Sequence, residues 1–377
     1  MPSVRAGEAD LKSALEDRKS IGLLRSTPET TDAIDFASND YLGFCQDRTL
    51  RKAILDRIDK LKFGGCASRL ISGNSILYTS LEKSCAEFFG AQAALIFNSG
   101  YVANIGLLSS LPLRTDTILY DAQSHASIRD GARISLAQAF SFRHNDLGDL
   151  EAKLRRTKGS CYVVIEALYS MAGDLAPLKE ICKLCQHYSA RLIVDEAHST
   201  GTIGEHGRGL TCSLELEECV FARICTFGKA LASQGAVVLG SAALREYLVN
   251  FARSFIYTTA LPETSLFATI CALQHLRKDA SNLTTLSGLI AKYLNHAQES
   301  RRPFSKNTGP IQYLLVSGND HATKLAQAAS DSGFHVAAIR SPTVPTGSER
   351  LRISLHSFNT AKHLRELMSA LEQNYHE

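Results

Sequence analysis

The sequence predicts an α/β protein with a mainly parallel sheet in a large domain, followed by a smaller C-terminal α+β domain. Two observations support this fold class. Between residues 93 and 239, short apolar runs alternate with segments of helical periodicity, which is the pattern of parallel strands joined by helices that cover both faces. After residue 275, longer helices are followed by separated strands. We therefore expect an N-terminal arm at 1–38, a large domain at 39–275 and a small domain at 276–377.

The elements before the alternating region follow from apolar periodicity and turn residues. Helical periodicity predicts three helices, at 6–24, 48–62 and 75–89. The last of them ends at Gly90, a residue type that suits a helix C-terminus. Residues 36–43 predict a short extended piece ending in a turn, and the small residues and glycines at 64–74 predict a loop.

The alternating region and the C-terminal region supply the remaining elements. In the alternating region we predict strands at 93–97, 117–121, 139–143, 162–166, 192–195, 224–227 and 236–239. The helices predicted between or after them lie at 102–110, 127–137, 146–156, 178–187 and 265–277. An edge strand or two of this sheet is expected to run antiparallel. The C-terminal region predicts helices at 280–300, 323–332 and 361–373, and strands at 311–316, 336–339 and 351–355.

Composition excludes several classes of protein. Hydrophobic content of 45% and charged content of 21% are typical of a soluble globular chain. A net charge of +3, with no basic stripe, does not favour a nucleic-acid partner. No apolar run approaches the roughly 18 residues of a membrane span, and the polar N-terminus predicts no signal peptide. Ten cysteines without framework spacing predict reduced thiols in a cytoplasmic protein, and the single C-x-x-C at 182–185 predicts no metal site.

Residues 191–229 contain the most informative polar side chains. A buried strand predicted at 192–195 ends in Asp195, with His198 just beyond it, and the strand at 224–227 is followed by Lys229. Ligands of open α/β sheets bind outside the carboxyl ends of the strands. An acid, an imidazole and a lysine facing one crevice would suit a lysine-bound pyridoxal phosphate. These residues alone also allow a plainer interpretation, in which Asp195 caps a helix, His198 packs and Lys229 is solvated.

Other residues could complete such a site. The turn at Gly100 and Tyr101 leads from a strand into a helix, where backbone N–H groups can hold a phosphate. Tyr101 or His125 could stack on a flat ring, although either could equally be a packed core residue. The hydroxyls of Thr226 and Ser170, at neighbouring strand ends, could also bind phosphate.

One competing class of protein has the same sequence motif, Asp195-Glu196-Ala197-His198. Nucleic-acid helicases carry this motif, but they also need a G-x-x-x-x-G-K-[ST] loop. The Gly-Lys pair of this chain, Gly228-Lys229, is followed by alanine, and Arg223 stands where the first glycine would be. The helicase interpretation therefore has no support.

Four stretches together resemble the α-oxoamine synthases, which are fold-type-I pyridoxal-phosphate enzymes. The stretches are Ser38-Asn39-Asp40-Tyr41-Leu42-Gly43, Ser124-His125-Ala126-Ser127, Asp195-Glu196-Ala197-His198-Ser199-Thr200-Gly201 and Thr226-Phe227-Gly228-Lys229. The likeness extends from about residue 10 to 370. It implies an acyltransferase that condenses an amino acid with an acyl thioester and releases carbon dioxide.

Three further stretches resemble one branch of that family, which takes L-alanine and a pimeloyl thioester in biotin biosynthesis. They are 143–146, 203–209, and 338–345 together with 350–352. The thioester carrier could be coenzyme A or an acyl carrier protein. Sister enzymes that use glycine, and make aminoketobutyrate or aminolevulinate, remain the alternative. Ala172, Tyr78 and Ala232 depart from residues that are usual in the family and leave the shape of the local loops open.

The resemblance also implies roles for individual residues. Lys229 would carry the cofactor, Asp195 would pair with the pyridine nitrogen, and His198 would hold the phenolic oxygen. His125 would stack on the ring and contact the substrate. The groups expected at the phosphate are Ser170, Thr226, the backbone of Gly100 and Tyr101, and Thr258 or Thr259 from the partner of a homodimer. The groups expected at the substrate are Arg352 and Asn39 for the amino-acid carboxylate, and Arg25 and Thr343 for the acyl chain. No metal is expected.

Overall fold

The computed structural model describes residues 5–25, 27 and 32–375. In chain order its strands are β1 (Ile34–Asp35), β2 (Ala93–Phe97), β3 (Thr117–Asp121), β4 (Gln138–Phe142), β5 (Cys161–Glu166), β6 (Arg191–Asp195), β7 (Ala222–Thr226), β8 (Ala236–Gly240), β9 (Ile311–Leu315), β10 (Phe334–His335), β11 (Ala337–Ile339) and β12 (Arg350–Ser354).

The α-helices are α1 (Arg5–Ser20), α2 (Arg48–Leu55), α3 (Ile76–Phe89), α4 (Gly100–Ser110), α5 (Ala126–Ile134), α6 (Leu147–Leu154), α7 (Leu178–His187), α8 (Leu210–Ser213), α9 (Ala242–Phe251), α10 (Arg253–Ile256), α11 (Glu263–Lys278), α12 (Ser281–Glu299), α13 (Asn319–Asp331) and α14 (Ala361–Asn374). Gly90 follows α3 in the left-handed conformation, with φ of +66°, as the glycine there predicts.

A seven-stranded sheet forms the centre of the molecule, in the order β2-β8-β7-β6-β5-β3-β4. Its interior strands are buried on both faces; Leu192, Ile193 and Val194 of β6, for example, are fully buried. Apolar runs of this kind, covered by helices on both sides, are characteristic of parallel sheets. The α/β fold class is therefore confirmed.

The antiparallel strand of this sheet is β8, which pairs antiparallel with both β2 and β7. It lies second from the edge, so the expectation of an antiparallel edge strand is wrong in position. The reason is the short connection of residues 227–235 between β7 and β8. A parallel return would need a crossover of a dozen or more residues, so β8 has to turn back beside β7.

A second, antiparallel sheet of three strands has the order β11-β12-β9 and lies within residues 276–377. The two-residue strand β1 pairs in parallel with β10, with Ile34 opposite Phe334. The predicted arm thus joins the C-terminal region through backbone hydrogen bonds. The domain boundaries at 38 and 275 remain predictions.

Several local predictions are wrong. The predicted loop at 64–74 contains a π-helix at Arg69–Gly73, the predicted helix at 48–62 stops at Leu55 and resumes as a 3-10 turn at Ile58–Lys60, and residues 36–43 are bends and turns. Tertiary contacts explain the π-helix, because the Arg69 guanidinium lies 3.9 Å from the centre of the Tyr78 ring and pairs with buried Glu82 at 2.5 Å. Helices α9 and α10 were not predicted.

Among the described residues, the helices are all too short or too polar to cross a membrane.

Candidate active site

A pocket of about 280 Å³ opens at the carboxyl ends of β5, β6 and β7, beside the start of α4. Its lining includes Lys229, Asp195, His198, His125 and Gly100. A larger groove, of about 680 Å³, lies at the opposite ends of β3 and β4 and contains none of these residues. The strand-end pocket is therefore the candidate active site, because it brings together the side chains that can do chemistry.

A line of hydrogen bonds leads from Lys229 out of this pocket. Lys229 Nζ lies 2.7 Å from His198 Nε2, and His198 Nδ1 lies 2.7 Å from the Tyr41 hydroxyl. That hydroxyl donates to Asn39 Oδ1 at 3.0 Å, so its oxygen is left to accept. We infer that His198 Nδ1 carries the ring proton and that Nε2 accepts from Lys229, because a neutral imidazole has one donor and one acceptor.

Arg352 meets the other end of this line. Its Nη2 donates to Asn39 Oδ1 at 2.8 Å and to the Tyr41 hydroxyl at 3.1 Å, while its Nε donates to the carbonyl oxygen of Ser170 at 2.8 Å. The guanidinium, on β12, is thus fixed by the segment after β1 and by the segment after β5. A cation oriented in this way is suited to binding a carboxylate.

Asp195 is buried at the end of β6, and both of its carboxylate oxygens are held. Oδ1 accepts the backbone N–H of Ala197 at 2.9 Å, and Oδ2 accepts Asn104 Nδ2 at 2.7 Å. Asn104 lies in α4 and also donates to the Ser127 hydroxyl at 3.0 Å. The carboxylate therefore faces the pocket in a fixed orientation.

His125 and Glu166 also line the pocket, near Asp195. Nδ1 of His125 is 2.8 Å from the Ser127 hydroxyl, and its backbone N–H donates to Glu166 Oε1 at 2.6 Å. Glu166 ends β5 directly beside Asp195 in the sheet register. Burial and the neighbouring charge of Asp195 raise the pKa of Glu166.

The basic groups of the pocket are pushed towards their neutral forms. Burial lowers the pKa of Lys229, against the opposing influence of Asp195 and Glu166. Burial, with the positive charges of Lys229 and Arg352, holds the pKa of His198 well below its usual range. A lysine that loses its proton easily is suited to act as a nucleophile and a proton acceptor near neutral pH.

The start of α4 forms a cradle against β7. A Cβ placed on Gly100 would lie 2.6 Å from Thr226 Cγ2, so glycine permits the close approach of these two elements. Ser99 caps the helix by accepting the N–H of Val102 at 3.2 Å. The free N–H groups of this first turn, beside the Thr226 hydroxyl, suit an anionic phosphate.

These residues fit pyridoxal phosphate. The pocket has a primary amine in Lys229, a buried carboxylate in Asp195 for a ring N–H, and imidazoles at His125 and His198. The helix start at Gly100 supplies the phosphate donors. The donor set matches each functional group of the cofactor.

Of the other predicted residues, Tyr101 lines the pocket, whereas Ser170, Arg25 and Thr343 are outside its lining. The carbonyl of Ser170, rather than its hydroxyl, makes the contact with Arg352. Asn98, which lines the pocket, donates to Thr258 Oγ1 at 3.3 Å and to the carbonyl of Thr259 at 2.7 Å. The exposed Tyr101 side chain donates to Asp130, and Arg25 and Thr343 are exposed outside the pocket lining of the described chain. The predicted roles of these residues stay predictions.

Sequence reasoning missed Tyr41, Asn104 and Glu166 as members of the site. Tyr41 lies in a stretch that carries the family resemblance, and Glu166 ends a predicted strand. Both positions could therefore have been identified as site residues from the sequence. Asn104 lies inside an apolar helix, and no local pattern marks it.

The aminotransferase class I and II family matches residues 31–371. An 8-amino-7-oxononanoate synthase from Marinobacter nauticus is 36% identical over 97% of this chain and 96% of its own length. The solved structure of an 8-amino-7-oxononanoate synthase from Francisella tularensis matches with a TM-score of 0.79 and 30% identity, over 90% of this chain and 97% of that one. A serine palmitoyltransferase from S. paucimobilis with bound PLP–myriocin matches with a TM-score of 0.90 and 25% identity, over 99% and 98%.

Proposed function

Because this chain belongs to the aminotransferase class I and II family, and within it to the α-oxoamine synthases of the 8-amino-7-oxononanoate synthase type, we propose that it condenses L-alanine with a pimeloyl thioester. The products are 8-amino-7-oxononanoate, carbon dioxide and the free thiol carrier, as in biotin biosynthesis. The carrier is coenzyme A or an acyl carrier protein. The hydrogen-bonded line from Lys229 through His198 and Tyr41 to Arg352 is the observation that carries the proposal, because it joins an amine in the pocket to a carboxylate-binding cation.

Pyridoxal phosphate, when bound, supplies an electron sink for the charge that develops at the amino-acid Cα. Lys229 would hold it covalently and, once displaced by the amino group of alanine, would move the proton of that carbon. Its lowered pKa favours the neutral amine that this proton transfer needs. Asp195, fixed by Asn104 and Ala197, would hold the ring nitrogen through a charge-assisted hydrogen bond.

The other residues of the site orient the substrate and the cofactor and enclose them. Arg352 and Asn39 bind the carboxylate of alanine, and His125 covers the ring face. His198 would meet the phenolic oxygen through Nε2, the ring nitrogen that faces Lys229 and accepts a hydrogen bond. Thr226, Ser170 and the first turn of α4 at Gly100 and Tyr101 bind the phosphate. Arg25 and Thr343 contact the acyl chain.

We also propose that the enzyme is a cytoplasmic homodimer in which Thr259 reaches the phosphate of the partner subunit. Large apolar side chains are exposed near Thr259, among them Phe63, Ile71 and Tyr257 at 75%, 81% and 72%. The backbone bond of 2.9 Å from Ala260 N–H to the Ala67 carbonyl brings their segments together. Exposed apolar surface of this kind favours a protein interface. All ten cysteines are free, which accords with a reducing compartment.

Product analysis by mass spectrometry tests the proposed reaction. The purified protein, loaded with pyridoxal phosphate, is given alanine, glycine or serine in parallel with pimeloyl-CoA, pimeloyl carrier protein, acetyl-CoA, succinyl-CoA or palmitoyl-CoA. We expect product and carbon dioxide with alanine and a pimeloyl thioester, and none from the Lys229→Ala control. Preferential turnover of glycine with a short thioester would instead identify a sister enzyme and refute the proposal.

A further inference from the structure

Charged side chains cluster at the carboxyl ends of β3 and β4, outside the pocket lining. His144, just after β4, lies between Asp121 at the end of β3 and Asp174 beyond β5. Its Nδ1 is 2.8 Å from Asp121 Oδ1, and its Nε2 is 2.8 Å from Asp174 Oδ2. The stretch 143–146, which contributes to the family resemblance, has no role in the chemistry proposed above.

The geometry favours a protonated imidazole at His144. An ionised carboxylate can only accept hydrogen bonds, so both ring nitrogens must donate, and only the imidazolium has two donors. The Asp121 side chain is fully buried and also accepts the N–H groups of Gln123 at 2.7 Å and Asn145 at 2.9 Å. These donors and a neighbouring cation are what a buried carboxylate needs to keep its charge.

The electrostatics agree with this assignment. Burial alone would lower the pKa of His144, but the hydrogen bonds and charges of Asp121 and Asp174 outweigh burial and raise it to about 9. Three further groups surround the cluster. The Tyr169 ring packs edge-on against the imidazole at 4.5 Å, Arg350 of β12 acts on Asp174, and Asn145 Nδ2 donates to Asp174 Oδ2 at 2.8 Å.

Asp174 belongs to a closed segment of the chain, which we call the 168–175 loop. Leu168 and Leu175 form an antiparallel bridge at its base. Within it, the N–H of Tyr169 donates to the carbonyl of Asp174 at 3.0 Å, and the N–H of Gly173 donates to the carbonyl of Tyr169 at 2.9 Å. These internal bonds make the loop a unit whose position is set by its outside contacts.

The opposite side of the 168–175 loop touches the C-terminal region through three consecutive carbonyl groups. Ser170 O accepts Arg352 Nε at 2.8 Å, Met171 O accepts Arg350 Nη1 at 3.5 Å, and Ala172 O accepts Asn307 Nδ2 at 2.5 Å. The loop therefore lies between the His144 cluster and the arginine that faces the candidate active site.

We propose that protonated His144 is a positioning residue: it clamps the 168–175 loop to the ends of β3 and β4, and thereby holds the Ser170 carbonyl where it orients Arg352 for the substrate carboxylate. The final link rests on the proposed function, since it requires Arg352 to bind the amino acid. The clamp itself is independent of that function.

Steady-state kinetics of the holoenzyme test the link to Arg352. His144→Gln should raise KM for L-alanine about tenfold, the cost of weakening one charge-assisted hydrogen bond, and change kcat less than about twofold. Asp174→Asn should act in the same direction, and the double variant should be no worse than the worse single variant, because both break one contact. His187→Gln, at an exposed position at the end of α7, is the matched control. An unchanged KM with a lower kcat or lower yield would reduce His144 to a structural role and overturn the proposal.

Hydrogen exchange without substrate tests the clamp separately. In His144→Gln the amides of Tyr169 and Gly173 should exchange faster than in the wild type, while amides of β6 stay protected. In the wild type, after correction for intrinsic rates, their protection should fall as the pH rises through about 9. Unchanged exchange in the variant would refute the clamp. Faster exchange in the variant, together with a wild type that does not turn over alanine, would support the clamp and refute the proposed function.

Discussion

Tyr41 connects the two halves of the candidate site at the scale of single residues. Its hydroxyl touches His198 Nδ1 at 2.7 Å, Asn39 Oδ1 at 3.0 Å and Arg352 Nη2 at 3.1 Å. One oxygen thus sets both the tautomer of the imidazole beside Lys229 and the direction of the guanidinium. Burial raises the pKa of Tyr41 to about 12, so the hydroxyl remains a donor at neutral pH.

Tyr41→Phe keeps the ring and removes this oxygen. We expect kcat/KM for L-alanine to fall about ten- to a hundredfold, because His198 Nδ1 and Arg352 Nη2 each lose a buried partner. Tyr188→Phe, which removes a hydroxyl that donates to Glu151 outside the pocket lining, serves as the control. Circular dichroism should show an unchanged fold for both variants, and wild-type kinetics in Tyr41→Phe would contradict the assigned connection.

Some of these residues could be predicted from the sequence and others could not. Asp195, His198 and Lys229 stand at strand ends, where the topology of a parallel sheet makes side chains meet. Tyr41 meets His198 across 157 residues of chain, which only the folded structure reveals. The sequence likewise does not reveal that the Glu166 side chain lines the pocket, where the backbone N–H of His125 holds it.

At the scale of elements, the contact between α4 and β7 shapes the phosphate cradle. Gly100→Ala would place a methyl group 2.6 Å from Thr226 Cγ2 and should push the helix start away from the strand. We expect pyridoxal-phosphate affinity, measured by titration of the visible absorbance, to fall about tenfold or more, because the cradle's backbone donors move.

Second-site and control variants sharpen this test. Thr226→Ser removes Cγ2 and leaves the hydroxyl, so it should restore most of the affinity lost in Gly100→Ala. Gly288→Ala, in α12, meets no atom within 4 Å and should leave affinity unchanged while adding up to about 1 kcal/mol of stability. Failure of Thr226→Ser to restore binding would mean that the methyl group acts in some other way.

Some elements are predictable from the local sequence pattern, and others depend on contacts with distant parts of the chain. Strands β2 and β3 and helix α7 have the predicted bounds, because apolar period and flanking turns agree there. The π-helix at Arg69–Gly73 is fixed by Tyr78 and Glu82 from the following helix, so a run of small residues could only suggest a loop. The direction of β8 follows from the short connection of residues 227–235 to β7, which can be counted in the sequence once both strands are placed.

At the scale of the whole molecule, the His144 cluster holds the 168–175 loop, which contacts the C-terminal region, against the central sheet, and its charge should appear in global stability. The pKa of His144 is about 9 in the fold and 6.5 without it. The folded state therefore binds this proton more tightly, and the resulting stability is full below pH 6.5 and is lost as the pH rises through 9. The contribution is on the order of 3 kcal/mol.

Thermal unfolding across pH measures this contribution. The excess in Tm of the wild type over His144→Gln should be largest below pH 6.5 and should shrink steadily towards pH 9 and above. His187→Gln should show no such trend. A difference in Tm that does not depend on pH would mean that His144 stabilises the fold by packing alone.

The proposed homodimer makes a prediction that concerns two copies of the chain. Thr259 is held near its own pocket by Asn98, at 2.7 Å from the Thr259 carbonyl, so its hydroxyl could serve its own subunit or the partner. Mixing Lys229→Ala and Thr259→Ala subunits decides between these cases. If Thr259 acts across the interface, a hybrid dimer has one site with both defects and one intact site, and random mixing should restore roughly a quarter of wild-type turnover at limiting cofactor. If Thr259 acts within its own subunit, each hybrid site carries one defect and turnover stays at the level of the unmixed variants, which would refute the shared site.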